Sequence, residues 1–192
     1  MKLLKHLMIT LVTLVVLSTV TSTADAAGYY YKWKGYSGNS AGYVTSKPFV
    51  NAVKKGKVTV NGYTVSSKVS EKSLTKSSQV MMKYALGNHN LKSKYLKRKY
   101  DSVILLNDNL KTFGIEMPVK KGKITKQQFK KIYGSNYAEA QIIENETSVY
   151  YKFKNHYFEG VFDKKNRLIR VSISSFVSGE FGKEIDDILF ND

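Results

Sequence analysis

Residues 148–174 have the sequence SVYYKFKNHYFEGVFDKKNRLIRVSIS, and this stretch decides the fold class. Runs rich in Val, Ile, Tyr and Phe are typical of β-strands, and the polar segments between them are typical of turns. We therefore predict strands at Ser148–Phe153, Tyr157–Phe162 and Arg167–Ser174. Because short turns join neighbouring antiparallel strands, the three strands should form a meander.

Helices are predicted on both sides of this meander. Apolar residues recur at helical spacing in the last segment, which predicts an amphipathic helix over Gly182–Phe190. This acidic helix can either cover the sheet or fold against a basic surface. Thr125–Gln128 has the form of a capping box, which predicts a helix over Lys126–Tyr133.

The first part of the chain predicts shorter elements. Alternation of side chains over Tyr31–Tyr36 is typical of a strand with one buried face. Ser46–Gly56 contains a capping serine, an apolar face and a terminating glycine, which predicts a short helix. Asn61-Gly62 between Lys57–Val60 and Tyr63–Val65 is the pair that favours a type I′ hairpin.

The middle of the chain is less informative. The polar segment Ser66–Lys76 is predicted to be a mobile loop. Ser78–Tyr84 fits either a strand or a helix, and Lys92–Tyr100 fits either a basic strand or a basic helix. Val103–Leu106 and Leu110–Val119 are further strand candidates. Together these elements predict an α+β fold with a mainly antiparallel sheet, short helices, a C-terminal meander and a final amphipathic helix.

The N-terminal 26 residues have the features of a secretory signal peptide. Lys2 and Lys5 precede an apolar run over Leu7–Val20, and Ala24-Asp25-Ala26 is a small-residue cleavage site. A membrane anchor is the alternative, but the run is short for a spanning helix. We therefore expect residues 27–192 to form a single secreted α+β domain, released outside the cell or held at the cell surface by its charge.

The composition excludes several kinds of site. The 192 residues include no Cys and three His, so disulfides, thiolate metal sites and thiol nucleophiles are excluded. Lys and Arg number 31 against 15 Asp and Glu, which gives a net charge of +16. A protein with such a charge attracts polyanions.

The positive charge is concentrated in the first part of the chain. Residues 27–134 contain 22 bases and four acids, whereas residues 135–192 contain seven bases and ten acids. We predict two nucleic-acid-binding clusters, in which lysines contact phosphates and tyrosines stack on bases. The first cluster comprises Lys83, Tyr84, Lys92, Lys94, Tyr95, Lys97, Arg98, Lys99 and Tyr100, and the second comprises Lys120, Lys121, Lys123, Lys126, Lys130 and Lys131.

The kind of base indicates how such a ligand would be bound. Of the 31 bases, 28 are Lys, and Lys follows a phosphate backbone without reading base edges. Binding should therefore be weakly sequence-selective and steeply dependent on salt. Five aromatic rings lie within Tyr29–Tyr36. We expect most of them to pack in the core and some of Tyr29, Tyr30 and Tyr36 to remain exposed to solvent.

Nothing in the sequence indicates an enzyme. His89 and His156 are predicted to be surface residues in turns, without a neighbouring nucleophile or metal-binding motif. Glu144, Glu146 and the Asp186-Asp187 pair are interpreted as solvated carboxylates rather than metal ligands. No cofactor is expected.

Five blocks of the chain share a resemblance to one family, and they lie at 36–39, 47–53, 58–62, 123–134 and 161–171. They resemble the immunodominant staphylococcal antigen B family. The blocks follow one another over most of the predicted mature chain, whereas the segment around Ser66–Tyr100 and the tail after Ser175 depart from the pattern.

The resemblance implies a secreted, non-enzymatic antigen that binds extracellular nucleic acid with little sequence preference and acts in host interaction. It supplies no catalytic or binding residues, so the two clusters rest on charge and aromatic content. The alternative is an interaction module for a host protein or a glycosaminoglycan, since heparin-like chains would satisfy the same lysines. No membrane-spanning segment is expected after the signal peptide.

Overall fold

The computed structural model describes residues 30–190 except residues 67, 86, 144, 154 and 155. The predicted signal peptide, Tyr29, Glu144 and the turn at 154–155 therefore lie outside the described residues. The strands are β1 (Tyr31–Trp33), β2 (Val58–Val60), β3 (Tyr63–Thr64), β4 (Lys68–Ser70), β5 (Leu96–Lys99), β6 (Ser102–Leu106), β7 (Thr112–Pro118), β8 (Ala138–Ile143), β9 (Glu146–Phe153), β10 (His156–Asp163) and β11 (Leu168–Ser178). The helices are α1 (Gly42–Thr45), α2 (Lys47–Lys55), α3 (Ser77–Ala85), α4 (Lys126–Tyr133) and α5 (Glu180–Phe190), with 3₁₀ turns at Ser37–Asn39 and Glu71–Leu74.

The main sheet has the strand order β5-β6-β7-β11-β10-β9-β8, and β4 also pairs with β11. Every pair in this order is antiparallel, whereas β4 runs parallel to the end of β11. Strands β9, β10 and β11 form the predicted meander, and α5 follows it. The predicted α+β class with a mainly antiparallel sheet is confirmed.

Local signals in the first part of the chain act as expected. The Ser46 hydroxyl accepts a hydrogen bond from the Phe49 amide, and Gly56 ends α2 in the left-handed conformation. Asn61 and Gly62 have φ values of 52° and 91°, which allows β2 and β3 to form the predicted hairpin. Strand β1 joins this hairpin in parallel with β2 to form a small second sheet.

The hydrophobic core lies between one face of the main sheet and the elements that cover it. Phe49 of α2 and Phe129 of α4 are fully buried against the rings of β9 and β10. The capping box that starts α4 is formed by Thr125 and Gln128. We call the core-facing side of the sheet the inner face and the opposite side the outer face.

The middle of the chain contains more structure than its sequence predicts. The prediction of a loop over Ser66–Lys76 is wrong, because this segment contains β4 and a 3₁₀ turn. Val69 and Leu74 are buried there with Val177 of β11. The partner strand lies about a hundred residues away, so the local polar composition conceals it. Ser78–Tyr84, which fits a strand or a helix in sequence, lies in helix α3. Lys92–Tyr100, which fits a basic strand or a basic helix, contains the edge strand β5.

The C-terminal helix covers the outer face of the sheet. Asp186 of α5 accepts a hydrogen bond from the Tyr157 hydroxyl at 2.6 Å and pairs with Lys152 at 2.8 Å. The ring of Phe190 stacks on that of Tyr157. The interpretation of Asp186 as a solvated carboxylate is therefore wrong, because two strands of the meander hold it.

His156 is buried rather than exposed in a turn. It is the first residue of β10, pairs with Ser175 of β11 and faces the core beside Phe153. The prediction of a surface histidine is wrong because β10 begins one residue earlier than its apolar run. Burial lowers the pKa of His156 to about 4.

This buried imidazole should make the protein less stable in acid. The unfolded chain protonates His156 near pH 6.5 and the folded chain only near pH 4. Stability from this residue is therefore complete above pH 6.5 and is lost as the pH falls to about 4, by about 3 kcal/mol in all. Urea unfolding at pH 7 and pH 4.5 measures the loss. His156→Leu should reduce the difference in unfolding free energy between pH 7 and pH 4.5.

Candidate polyanion-binding surface

One end of the main sheet gathers three separate segments. They are the turn between β5 and β6, the loop after β7, and the turn between β10 and β11. Since neighbouring strands are antiparallel, each of these connections reaches the same end of the sheet. The residues carried by this end therefore come from segments as far apart as 99 and 165.

The loop after β7 is fastened to the turn between β10 and β11. The Val119 amide donates to the Ile169 carbonyl at 2.9 Å, and the Leu168 amide donates to the Ile124 carbonyl at 2.9 Å. The Lys126 amide bonds to the Asn166 carbonyl at 3.0 Å. These hydrogen bonds bring two lysine-bearing segments side by side.

The result is a row of exposed lysines that we call the basic rim. All of its members are exposed to solvent. It comprises Lys99, Lys120, Lys121, Lys123, Lys164 and Lys165. Four strand spacings of about 4.8 Å separate β5 from β10, so the rim is about 19 Å long.

Three acids near the basic rim have partners within the protein. Asp101 and Asp163 accept backbone amides, and Glu146, which lines a depression beside the rim, pairs with Arg170. Asp163 accepts hydrogen bonds from the Lys165 and Arg167 amides at 2.9 and 3.0 Å, and its other oxygen lies 3.7 Å from the Lys121 ammonium. Slight burial acts to raise the pKa of Asp163, but these hydrogen bonds outweigh it and lower the pKa. Asp101 accepts the Ser37 and Gly38 amides at 2.9 and 2.7 Å. These carboxylates fix the turns and leave most of the rim charge in place.

Two depressions adjoin the basic rim. One, of about 610 Å³, lies between the first 3₁₀ turn and α4 and is lined by Lys120 and Lys123. The other, of about 560 Å³, lies beside the β10–β11 turn and is lined by Lys121, Lys164 and Lys165. Both are shallow surface features suited to a chain ligand rather than an enclosed small molecule.

Two exposed tyrosines lie at the β5 end of the rim. Tyr36 is 58% exposed and Tyr100 is 42% exposed, and their ring centroids are 5.2 Å apart in an edge-to-face arrangement. The Lys99 ammonium lies 5.9 Å from the Tyr100 ring centroid. The Ser40 carbonyl accepts the Lys120 amide at 3.0 Å, which joins this end to the rest of the rim.

The structure divides the first predicted cluster. Lys99 and Tyr100 lie on the rim, and Lys97 lies two residues back along β5. Lys92 and Lys94 are exposed at the opposite end of β5, and Lys83 is exposed on α3. The first cluster is therefore not one continuous surface.

Two predicted stacking residues are buried. Tyr84 is 9% exposed, and its hydroxyl donates to Glu116 at 2.8 Å. Tyr95 is 8% exposed. Their rings therefore cannot serve as open stacking faces, because α3 and the segment before β5 pack them against the sheet.

The second cluster is also divided, between the rim and α4. Lys126 and Lys130 both form ion pairs with Glu139 of β8, and Lys130 also lies 4.2 Å from the Tyr137 ring centroid. Lys131 is exposed on α4. Lys120, Lys121 and Lys123 are the members that reach the rim.

Two of the three arginines are held by groups of the protein itself. Arg170 pairs with Glu146 at 2.8 Å and with Glu116 at 3.5 Å on the outer face, so the interpretation of Glu146 as simply solvated is also wrong. Arg98 donates to the His89 carbonyl and lies over the Tyr84 ring. Arg167 lines a third depression together with Lys126, Lys130 and Lys165.

Sequence reasoning missed Lys164, Lys165 and the pairing of Tyr36 with Tyr100. The polar segment Asp163–Asn166 predicts a turn between two strands, but its lysines lie in the acidic part of the chain. Only the hydrogen bonds to the loop after β7 place them on the rim. Strand β8 was also missed. Its sequence alternates apolar and polar residues, but Ala and Glu, which supply half of Ala138–Ile143, are depleted in strands.

The model of one protein family, Immunodominant staphylococcal antigen B, matches residues 30–173. The chain belongs to this family. The match contains the whole basic rim together with Tyr36 and Tyr100, and it ends within β11, before α5. Membership in the antigen B family marks the chain as a staphylococcal antigen and indicates an extracellular protein. No curated protein and no solved structure is significantly similar to the chain.

The described residues contain neither a candidate membrane span nor a candidate metal site. No helix among them is long and apolar enough to cross a bilayer. No group of three or more His, Asp or Glu residues among them is placed to hold a metal ion.

Proposed function

We propose that this antigen B family member is a secreted, non-enzymatic protein that binds extracellular nucleic acid through the basic rim. The observation that carries the proposal is the gathering of six exposed lysines from three segments at one end of the sheet. Each strand of B-DNA carries one phosphate for about every 3.4 Å of helix axis, so a rim of about 19 Å spans the axial length of five or six phosphates of one strand.

Weak sequence preference follows from the residue types. Base edges are read best by the planar fork of Arg, and two of the three arginines are held by the protein's own groups. Lysine ammonium groups instead bind phosphate oxygens whatever the base. The rim therefore suits binding along the backbone of DNA or RNA.

Replacement of rim lysines tests the proposal. We expect Lys120→Gln, Lys121→Gln and Lys123→Gln together to weaken binding on the order of ten- to a hundredfold at physiological salt. The slope of log affinity against log salt concentration should become less steep by about three, since each phosphate contact contributes about one. Fluorescence anisotropy with labelled DNA or RNA measures both quantities.

A matched control separates the site from net charge. Lys68, Lys72 and Lys111 are exposed at the opposite end of the sheet. Their replacement by Gln removes the same charge and should change affinity much less. Equal losses in the two triple variants would show that charge alone attracts the ligand, and the rim would be rejected as a site.

A further inference from the structure

We propose that Tyr36 and Tyr100 form a base-stacking site that makes the protein prefer single-stranded over double-stranded nucleic acid. The inference rests on the proposed function, because the rim lysines would hold the phosphates of the same strand. Unpaired bases have free faces, whereas bases in a duplex are already stacked on their neighbours. Aromatic side chains that stack bases are typical of single-strand binding surfaces.

The two rings are held together by a specific set of contacts. Asp101 follows Tyr100, and its carboxylate accepts the amides of Ser37 and Gly38, which follow Tyr36. One carboxylate thereby fixes the positions of two tyrosines that are 64 residues apart. The site is organised before any ligand binds, so a base would not have to order it.

The conformation of Tyr100 supports a role for its side chain. Its φ of 56° lies in the left-handed region, where glycine and asparagine are favoured and a bulky residue is strained. Tyr100 also occupies the two-residue turn between the paired residues Lys99 and Ser102. An exposed ring at a strained position does not serve packing in the core, which is consistent with a binding role.

The tyrosine pair lies at the β5 end of the basic rim. Lys99 lies beside Tyr100, and the Ser37–Asn39 turn connects Tyr36 to Lys120. A strand whose phosphates follow the rim can therefore turn a base at its β5 end onto the tyrosines. Tyr30 offers a natural comparison, since it is 36% exposed and has Lys32 near its ring but lies at the far end of β1.

The test compares a short oligothymidylate with a blunt-ended DNA duplex at physiological salt. Tyr36→Leu combined with Tyr100→Leu should weaken single-strand binding by about 5- to 100-fold and change duplex binding less than about twofold. Tyr36→Phe with Tyr100→Phe should retain binding, because the rings remain. Tyr30→Leu should leave both affinities unchanged. Quenching of 2-aminopurine in the single strand should be lost in the leucine variant only.

Tyr100→Asn guards against loss of folding as the explanation. Asparagine tolerates the left-handed conformation, so relief of strain offsets the lost ring contact and the thermal midpoint should be retained. Single-strand binding should nevertheless fall. Unchanged single-strand affinity in the leucine variant, or an equal loss for both ligands, would overturn the stacking site. The triple variant Lys120→Gln, Lys121→Gln and Lys123→Gln is measured in the same experiment. If it lowers both affinities, the proposed function stands. If it lowers neither, the proposed function fails, whatever the result for the tyrosines.

Discussion

Raising the salt concentration from about 50 to 200 mM is expected to weaken nucleic-acid binding by about three decades. Each phosphate neutralised by a lysine releases condensed counterions, and the affinity then falls with the salt concentration to a power of about 0.9 per contact. The six lysines of the basic rim therefore give a power between five and six. Anisotropy titrations with a DNA duplex at several salt concentrations measure this slope.

The choice of a duplex is part of the design. Duplex binding isolates the contribution of the lysines, because stacked bases offer no free faces to Tyr36 and Tyr100. A slope near zero would contradict binding through phosphates. Displacement of DNA by heparin would not distinguish the two kinds of ligand, since heparin sulfates satisfy the same lysines. A higher affinity for heparin than for both DNA and RNA at equal salt would favour a glycosaminoglycan as the ligand.

Gly160→Ala in β10 is expected to cause a large loss of stability. A Cβ atom at Gly160 would lie 2.5 Å from Cζ and 2.7 Å from Cε1 of Phe129. The Phe129 ring cannot move away easily, because it is fully buried among Tyr133, Phe158 and Phe162. We expect a cost of about 3 kcal/mol, which is a large part of the 5 to 15 kcal/mol typical of a folded domain. Urea unfolding gives the free energy directly.

Two further variants make this prediction specific. Gly114→Ala in β7 adds the same atom where its nearest neighbour is Leu105 at 3.4 Å, an ordinary contact, and should cost little. Phe129→Leu should reduce the cost of Gly160→Ala, so that the double variant is more stable than the sum of the single effects. Additive losses would show that the close approach of Gly160 to Phe129 does not limit stability.

The sequence was informative where structure depends on neighbouring residues. The caps of α2 and α4 and the Asn61-Gly62 turn use side chains within three or four positions, so their patterns are visible in a single chain. The meander was equally clear, because its strands are consecutive and their turns are short. These elements supplied the fold class and most of the second half of the fold.

The candidate site was less predictable because it depends on distant pairing. Tyr84 and Tyr95 belong to a basic, aromatic segment in sequence, but their burial is decided by how α3 and β5 pack on β6. Lys164 joins Lys121 only because the chain after β7 bonds to β11. Net charge points to the basic first part of the chain, and strand order determines which lysines share a surface.

The position of β5 at the edge of the main sheet has one more consequence. An edge strand presents unpaired backbone N–H and C=O groups that can pair with another chain, and charged side chains hinder such aggregation. Lys97, Arg98 and Lys99 are three consecutive exposed bases on this edge. They therefore protect the protein against intermolecular strand addition. A variant that neutralises all three would leave an uncharged edge strand, which favours aggregation. For that reason lysines in the loop after β7 are the safer positions at which to remove charge.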